Sequence, residues 1–119
     1  MKTILVVDDE KMILRLAADA LESFGEGFEI KPALNGREAV QILNSSKVDL
    51  VLTDLKMPVM DGYELLSYLS KNFRNIPTIV MTGFGSPEIA KRLKQKGVIH
   101  YIEKPFEFDD LNPKQARLD

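Results

Sequence analysis

Apolar runs of strand length alternate along the chain with stretches of helical period. Residues 3–7, TILVV, are β-branched or leucine throughout, the composition of a strand covered on both faces. From Lys11 to about Phe24 the spacing turns helical, with Ile13, Ala17, Leu21 and Phe24 on one stripe. FEIKPAL (28–34) alternates apolar and polar, and Pro32, which cannot donate to a ladder, marks it as an edge strand. Asn35 and Glu38 stand at capping-box spacing ahead of a helix to about Leu43. VDLVLT (48–53) reads as a third, buried strand. Asp61 and Glu64 repeat the capping-box spacing and open a helix through Leu65, Leu69 and Phe73. IPTIVMT (76–82) is a fourth strand. Ser86 and Pro87 suit the N-cap and first turn of a helix that Gly97 closes. VIHYIE (98–103) is a fifth strand, ending at Lys104-Pro105. The remainder, FEFDDLNPKQARLD, begins as a helix that Asn112-Pro113 interrupts, so the fifth helix is predicted to be short or broken.

Strands alternating with helices predict an α/β fold, a parallel sheet with helices on both faces. At 119 residues the chain suits one domain. With 45% hydrophobic and 29% charged residues it has the composition of an ordinary soluble globular protein. A net charge of −2 gives no general basis for binding nucleic acid or an acidic membrane surface. The absence of cysteine excludes disulfides and thiolate metal sites and fits a reducing compartment. Asp8, Asp9 and Glu10 end the first apolar run too early for a signal peptide or membrane span, so a cytoplasmic domain is expected.

In doubly wound sheets ligands sit outside the carboxyl ends of the strands. Those ends carry Asp8-Asp9-Glu10, then Asp54, Thr82-Gly83 and Lys104-Pro105. If the first, third, fourth and fifth strands are neighbours, carboxylates, a hydroxyl and an ammonium converge on one crevice. Carboxylates so close repel one another and need a cation. With no Cys and a single His the donors are hard oxygens, which suits Mg²⁺ or Mn²⁺ and disfavours Zn²⁺. A carboxylate beside such an ion can attack phosphorus and form an aspartyl phosphate. Phosphoryl transfer also needs charge neutralised on the equatorial oxygens. Lys104 can take one oxygen, and the Thr82 hydroxyl with the Gly83 backbone another. Taken singly, each residue has an ordinary explanation as a cap, turn or strand end; it is their joint occurrence at successive strand ends that points to a site.

ILVVDDE, DLKMPVMDGYEL, IPTIVMTGFG and YIEKPF, in this order and spacing, make the chain resemble a two-component response-regulator receiver domain of the chemotaxis-protein type over about residues 2–111. The resemblance implies a flavodoxin-like fold with strand order 2-1-3-4-5, the order given for this very family among doubly wound sheets. It implies Asp54 as phosphoacceptor, Asp9 as a direct Mg²⁺ ligand, Asp8 holding metal-bound water, and the Lys56 backbone carbonyl as a further ligand. Lys104 would pair with the phosphoryl group, through a Lys104-Pro105 bond expected to be cis. Thr82 and Tyr101 resemble the family's switch pair. Lys56 and Phe84 occupy loop positions that tune dephosphorylation in the family. The implied activity is that of a signalling switch, not a turnover enzyme, though it assists its own phosphotransfer and autodephosphorylation. The phosphoryl group would come from a sensor histidine kinase or phosphotransfer protein. Output would pass through the face of the fourth helix, fifth strand and fifth helix, with homodimerisation on activation as one mode.

Other residues weigh less. His100, the single histidine, lies within a strand and is given no role; Met57 and Met60 read as loop-shaping residues. Lys91, Arg92, Lys94 and Lys96 make the fourth helix basic, read as a solvated face or a partner surface. It shows no recognition helix for DNA. A receiver is expected over residues 1–111, with 112–119 as a tail or the start of a linker to an output domain. Two aspartyl-phosphate or scaffold alternatives remain. A haloacid-dehalogenase-type phosphatase wants an acid two residues after its nucleophile, where Lys56 stands. A non-phosphorylated pseudo-receiver would lack a site residue, and none is missing. A flavodoxin-like nucleotide or flavin binder would need a phosphate loop where Asp8-Asp9-Glu10 would repel phosphate.

Overall fold

The computed structural model describes residues 2–23, 27–83 and 85–104. Phe84, the Lys104-Pro105 bond, the expected fifth helix and its Asn112-Pro113 interruption lie outside the described residues, as does Phe24 of the first helical stripe. The elements run β1 (Lys2–Val7), α1 (Lys11–Glu22), β2 (Phe28–Ala33), α2 (Gly36–Ser45), β3 (Leu50–Thr53), α3 (Gly62–Asn72), β4 (Thr78–Thr82), α4 (Pro87–Gln95) and β5 (His100–Glu103). All neighbouring strands pair in parallel, in the order β2-β1-β3-β4-β5. The order is the doubly wound one expected from the sequence. Pro32 sits on the edge strand, where no partner needs its missing N–H.

Burial follows the strand order. β3 and β4 are buried at every position, and β1 at every position after Lys2, whereas edge strands β2 and β5 are mixed. On one face Ile4, Val6, Leu52, Met81 and Ile102 pack with Ala17, Ala20 and Leu21 of α1. On the other, Leu5, Val7 and Val51 meet Ala39 and Leu43 of α2 and Leu65 and Leu69 of α3. Val80 continues that face under Leu66 of α3 and Leu93 of α4. Each such leucine or isoleucine contributes about 1.5–3 kcal/mol when fully buried, so the two layers hold the sheet from both sides.

The helix starts follow the sequence signals. Asp61 Oδ1 accepts from Glu64 N at 2.9 Å while Glu64 Oε1 reaches back to Asp61 N at 3.4 Å. Asn35 caps α2 by accepting from Glu38 N, but Glu38 returns its bond to Leu34 N, one residue earlier than the capping-box pattern. Ser86 Oγ accepts from Ile89 N, with Pro87 in the first turn. Gly97 adopts φ +90, a conformation other residues rarely take, and turns the chain into β5. Three strands begin two residues later than the apolar runs suggest, because the flanks are used elsewhere. Asp49 Oδ2 accepts from Thr3 N, Pro77 supplies only a carbonyl to Val51 N, and Val98 N is tied back to Leu93 O.

The loop between β3 and α3 is tightly built. Met60 N donates to Pro58 O at 2.8 Å around Val59, whose φ is +70, the rarer and more strained form of γ-turn. Gly36 N holds the Met60 carbonyl at 2.9 Å, and Gly62 N bonds to Leu55 O at 2.8 Å. A Cβ on Gly62 would lie 2.2 Å from the Asp54 carbonyl oxygen, so the backbone approaches there only because that residue is glycine. Val59 is exposed and β-branched, so it carries the backbone strain without packing to offset it. Val59→Gly is therefore expected to stabilise the fold by about 1 kcal/mol, strain relief exceeding the added unfolded-state entropy. A chemical-denaturation midpoint unchanged or lowered by the substitution would show that the turn is unstrained.

Candidate functional site

Three backbone bonds beyond the strand ends carry charged side chains into one place. Asp8 N donates to Ala33 O at 3.0 Å, Asp54 N to Val7 O at 2.9 Å, and Lys104 N to Thr82 O at 2.9 Å. Each continues the ladder by one residue, so the side chains emerge at the C-terminal rim of the sheet. Lys104 Nζ donates to Asp8 Oδ2 at 2.6 Å and to Asp54 Oδ2 at 3.0 Å. The remaining carboxylate oxygens are held by backbone: Asp8 Oδ1 accepts from Glu10 N at 2.9 Å, and Asp54 Oδ1 from Leu55 N at 2.7 Å.

Both acids are buried, Asp8 completely and Asp54 nearly so. Burial pushes the Asp8 carboxyl above its ordinary value, against the opposing pull of Lys104 and of the Glu10 amide, and the Asp54 charge adds to the rise. For Lys104 burial works against the charged form, but the hydrogen bonds to Asp8 and Asp54 outweigh it and hold the ammonium above the usual lysine range. The group is thus a partly buried cation between two buried acids, at a rim whose other acids, Asp9 and Glu10, are exposed.

The donor set fits a hard divalent cation. Carboxylate oxygens of Asp8, Asp9 and Glu10 lie within 4.8 Å of one another, and Asp8 remains disfavoured in its charged form even with Lys104 bonded to it. Lys56 follows two residues after Asp54, with its side chain exposed in the tight loop.

Thr82 ends β4 fully buried, in register with Glu103; Gly83 beyond it is exposed. A Cβ on Gly83 would meet only Lys104 Cβ, at 4.0 Å, so the site does not require glycine there on steric grounds. Tyr101 pairs with Val80 and packs beside Leu93, Val98 and Ile89. Its hydroxyl is buried and makes no well-formed hydrogen bond among the described residues, and burial, then the charge and proximity of the Glu103 carboxylate, pushes it above the usual phenol range. A Cβ on Gly85 would fall 1.3 Å from that oxygen, so the ring occupies space that only glycine leaves open. Two features escaped the sequence reading: the Gly85 seat for Tyr101, and the reach of Glu10 toward Lys104, 3.8 Å from Glu10 Oε1 to Nζ. Adjacent acids in Asp8-Asp9-Glu10 hinted at the second; nothing local signalled the first.

Two depressions of about 310 and 330 Å³ lie elsewhere. One is lined by Leu66, Phe73, Arg74 and Lys96, the other by Leu93, Ile99, His100 and Tyr101, and neither contains a carboxylate. No helix among the described residues is long and apolar enough to cross a membrane.

The profile of the response regulator receiver domain matches residues 4–115. The chain is 35% identical over 108 residues to sporulation initiation phosphotransferase F of Bacillus subtilis (strain 168), covering 91% of this chain and 86% of that protein. It is 38% identical over 108 residues to the transcriptional regulatory protein GlrR of Escherichia coli (strain K12), covering 91% of this chain but only 24% of that protein. Thus it spans about a quarter of the length of several larger regulators it matches. Among solved structures, a CheY-like receiver domain protein from Methanospirillum hungatei JF-1 superposes with a TM-score of 0.86 at 34% identity, over 98% of this chain and 91% of that one.

Proposed function

The chain belongs to the response regulator receiver family, the signalling domains of two-component systems, and from that premise we propose that it is a phosphorylation-activated switch with Asp54 as its phosphoacceptor. The observation that carries the proposal is the pair of hydrogen bonds that Lys104 Nζ donates, to Asp8 at 2.6 Å and to Asp54 at 3.0 Å, at the rim where a donor can approach.

The donor is a phosphohistidine on a sensor histidine kinase or phosphotransfer protein. An Asp54 carboxylate oxygen forms a bond to phosphorus while the phosphorus–nitrogen bond breaks. The imidazole keeps the bonding pair and takes up a proton. The Leu55 amide on Asp54 Oδ1 fixes the carboxylate, which removes much of the orientational cost of attack. Lys104 exchanges its Asp54 partner for a phosphoryl oxygen, and the Thr82 hydroxyl and Gly83 amide receive another. Asp8, Asp9, Asp54 and the Lys56 carbonyl would hold Mg²⁺, with Mn²⁺ able to replace it. Bound there, the ion supplies positive charge against the phosphoryl oxygens.

Readout follows from movement of Thr82 toward the phosphoryl group, with the Tyr101 ring repacking beside it. The α4 and β5 surface, with exposed Lys91, Arg92, Lys94 and Lys96, carries the change to an output domain or downstream protein. The domain works in the cytoplasm without touching nucleic acid itself, and a homodimer on activation is one form of the output. The reading is tested by mixing the chain with Mg²⁺ and acetyl phosphate and taking an intact mass. One phosphoryl adduct is expected; none over a range of donor concentrations would refute the assignment.

A further inference from the structure

Glu10 occupies the N-cap position of α1, where Ser, Thr, Asp or Asn would cap the helix, yet its side chain makes no capping bond. Its carboxylate is turned instead to the site, 3.8 Å from Lys104 Nζ, with the side chain 64% exposed. Its own amide is occupied in holding Asp8. Three acids, Asp8, Glu10 and Asp54, therefore stand around a single lysine, with Asp9 beside Asp8 and Glu10, and Glu10 is the exposed one of the three.

Resting on the phosphoacceptor reading, we infer that Glu10 is a specificity-determining residue that disfavours small, free, doubly charged phosphodonors. An incoming phosphoryl dianion meets this carboxylate before it reaches Lys104, and Lys104 must in turn leave a third acid. The ion pair itself is weak, because Glu10 is solvated and screened. Repulsion of the donor is the larger effect: in water at contact range it is about fivefold for each unit of donor charge, before salt screening and distance reduce it. The device leaves the transfer chemistry intact and guards the switch against acyl phosphates free in solution.

The test compares the whole chain with Glu10→Gln, which keeps the shape and exposure of the side chain. Each is treated with Mg²⁺ and either acetyl phosphate, a dianion near neutral pH, or phosphoramidate, a monoanion. With acetyl phosphate, an Asp54 oxygen bonds to phosphorus as the phosphorus–oxygen bond to the acetyl group breaks, and acetate leaves with the bonding pair. Initial rates are read by intact mass at low and high salt, and Mg²⁺ affinity by calorimetry. Glu10→Gln is expected to raise the acetyl phosphate rate about threefold to fivefold, mainly through KM, and the phosphoramidate rate less. Near 1 M salt, where the screening length is about 3 Å, the two proteins should converge. Equal rates at low salt, or a ratio indifferent to salt and donor charge, overturns the inference while leaving Asp54 as acceptor. A slower variant with weakened Mg²⁺ binding overturns it too, and makes Glu10 a metal-holding residue. Absence of adduct in both proteins defeats the phosphoacceptor reading, and this inference with it.

Discussion

Asp54→Ala is expected to yield no phosphoryl adduct under conditions that convert the unaltered chain. The substitution removes the only buried carboxylate other than Asp8 that bonds to Lys104 among the described residues. Asp8 is no substitute nucleophile, since its side chain is wholly enclosed where that of Asp54 keeps 8% exposure, and burial raises its carboxyl above the ordinary value. The fold should survive. The Leu55 amide loses its 2.7 Å acceptor, a loss of about 1 kcal/mol, while the charge repulsion that Asp54 exerts on Asp8 disappears. A melting temperature within a few degrees of the parent, together with an unmodified intact mass, is the predicted pair of results. An adduct of the same mass and lability in Asp54→Ala would place the acceptor elsewhere.

Lys104→Ala is expected to have the largest effect on stability, about 2–3 kcal/mol at neutral pH without Mg²⁺. It strands Asp8, fully buried, and Asp54, nearly so, without their shared cation. Lys104 has a folded pKa raised above 10.5, so its stabilising contribution is complete at pH 7 and is lost only as pH climbs through that raised value. Asp8 runs the other way. Its folded pKa lies above 3.8, so the folded state holds the proton more tightly, and stability declines as pH rises from 3.8 through the folded value. Removing Lys104 removes the largest influence that lowers the Asp8 pKa, its hydrogen bond, and its charge as well, and the window widens upward. The deficit of Lys104→Ala should therefore shrink on acidification toward the ordinary carboxylate range, and Mg²⁺ should raise the melting temperature of the variant more than that of the parent. A deficit that is flat with pH would show that lost packing of the lysine stem is responsible.

Much of this architecture could be read from local chemistry. Pro32 marked the edge strand because a proline can be tolerated only where no neighbour needs its N–H, and β2 is at the edge. Asp61 with Glu64 and Ser86 with Pro87 located helix starts, since a cap depends on residues three apart and little else. Asp8, Asp54 and Lys104 could be brought together on paper because a parallel sheet places its strand ends on one rim. Strand onsets were less legible. Val48, Ile76 and Val98 are as apolar as the strands they precede, and the amides of Ile76 and Val98 are taken by turns off the preceding helix, to Phe73 O and Leu93 O, which apolarity does not signal. The positive φ of Val59 was hidden for a similar reason, because a β-branched residue carries no signal for a conformation it disfavours. The direction taken by Glu10 and the contact between Tyr101 and Gly85 depend on rotamers and loop paths, which spacing alone does not encode.

The rim bonds of Asp8, Asp54 and Lys104 to Ala33, Val7 and Thr82 also bear on how such a domain can diversify. The positions of the proposed nucleophile, the acid and the cation are set by interstrand bonds that the core holds in place. In the switch proposed above, timing and donor choice would fall to neighbours such as Lys56 and Glu10, which are exposed and carry little of the core. On that reading, single surface changes would retune how long a signal lasts, or whose signal is heard, while the reaction centre stays where the sheet puts it.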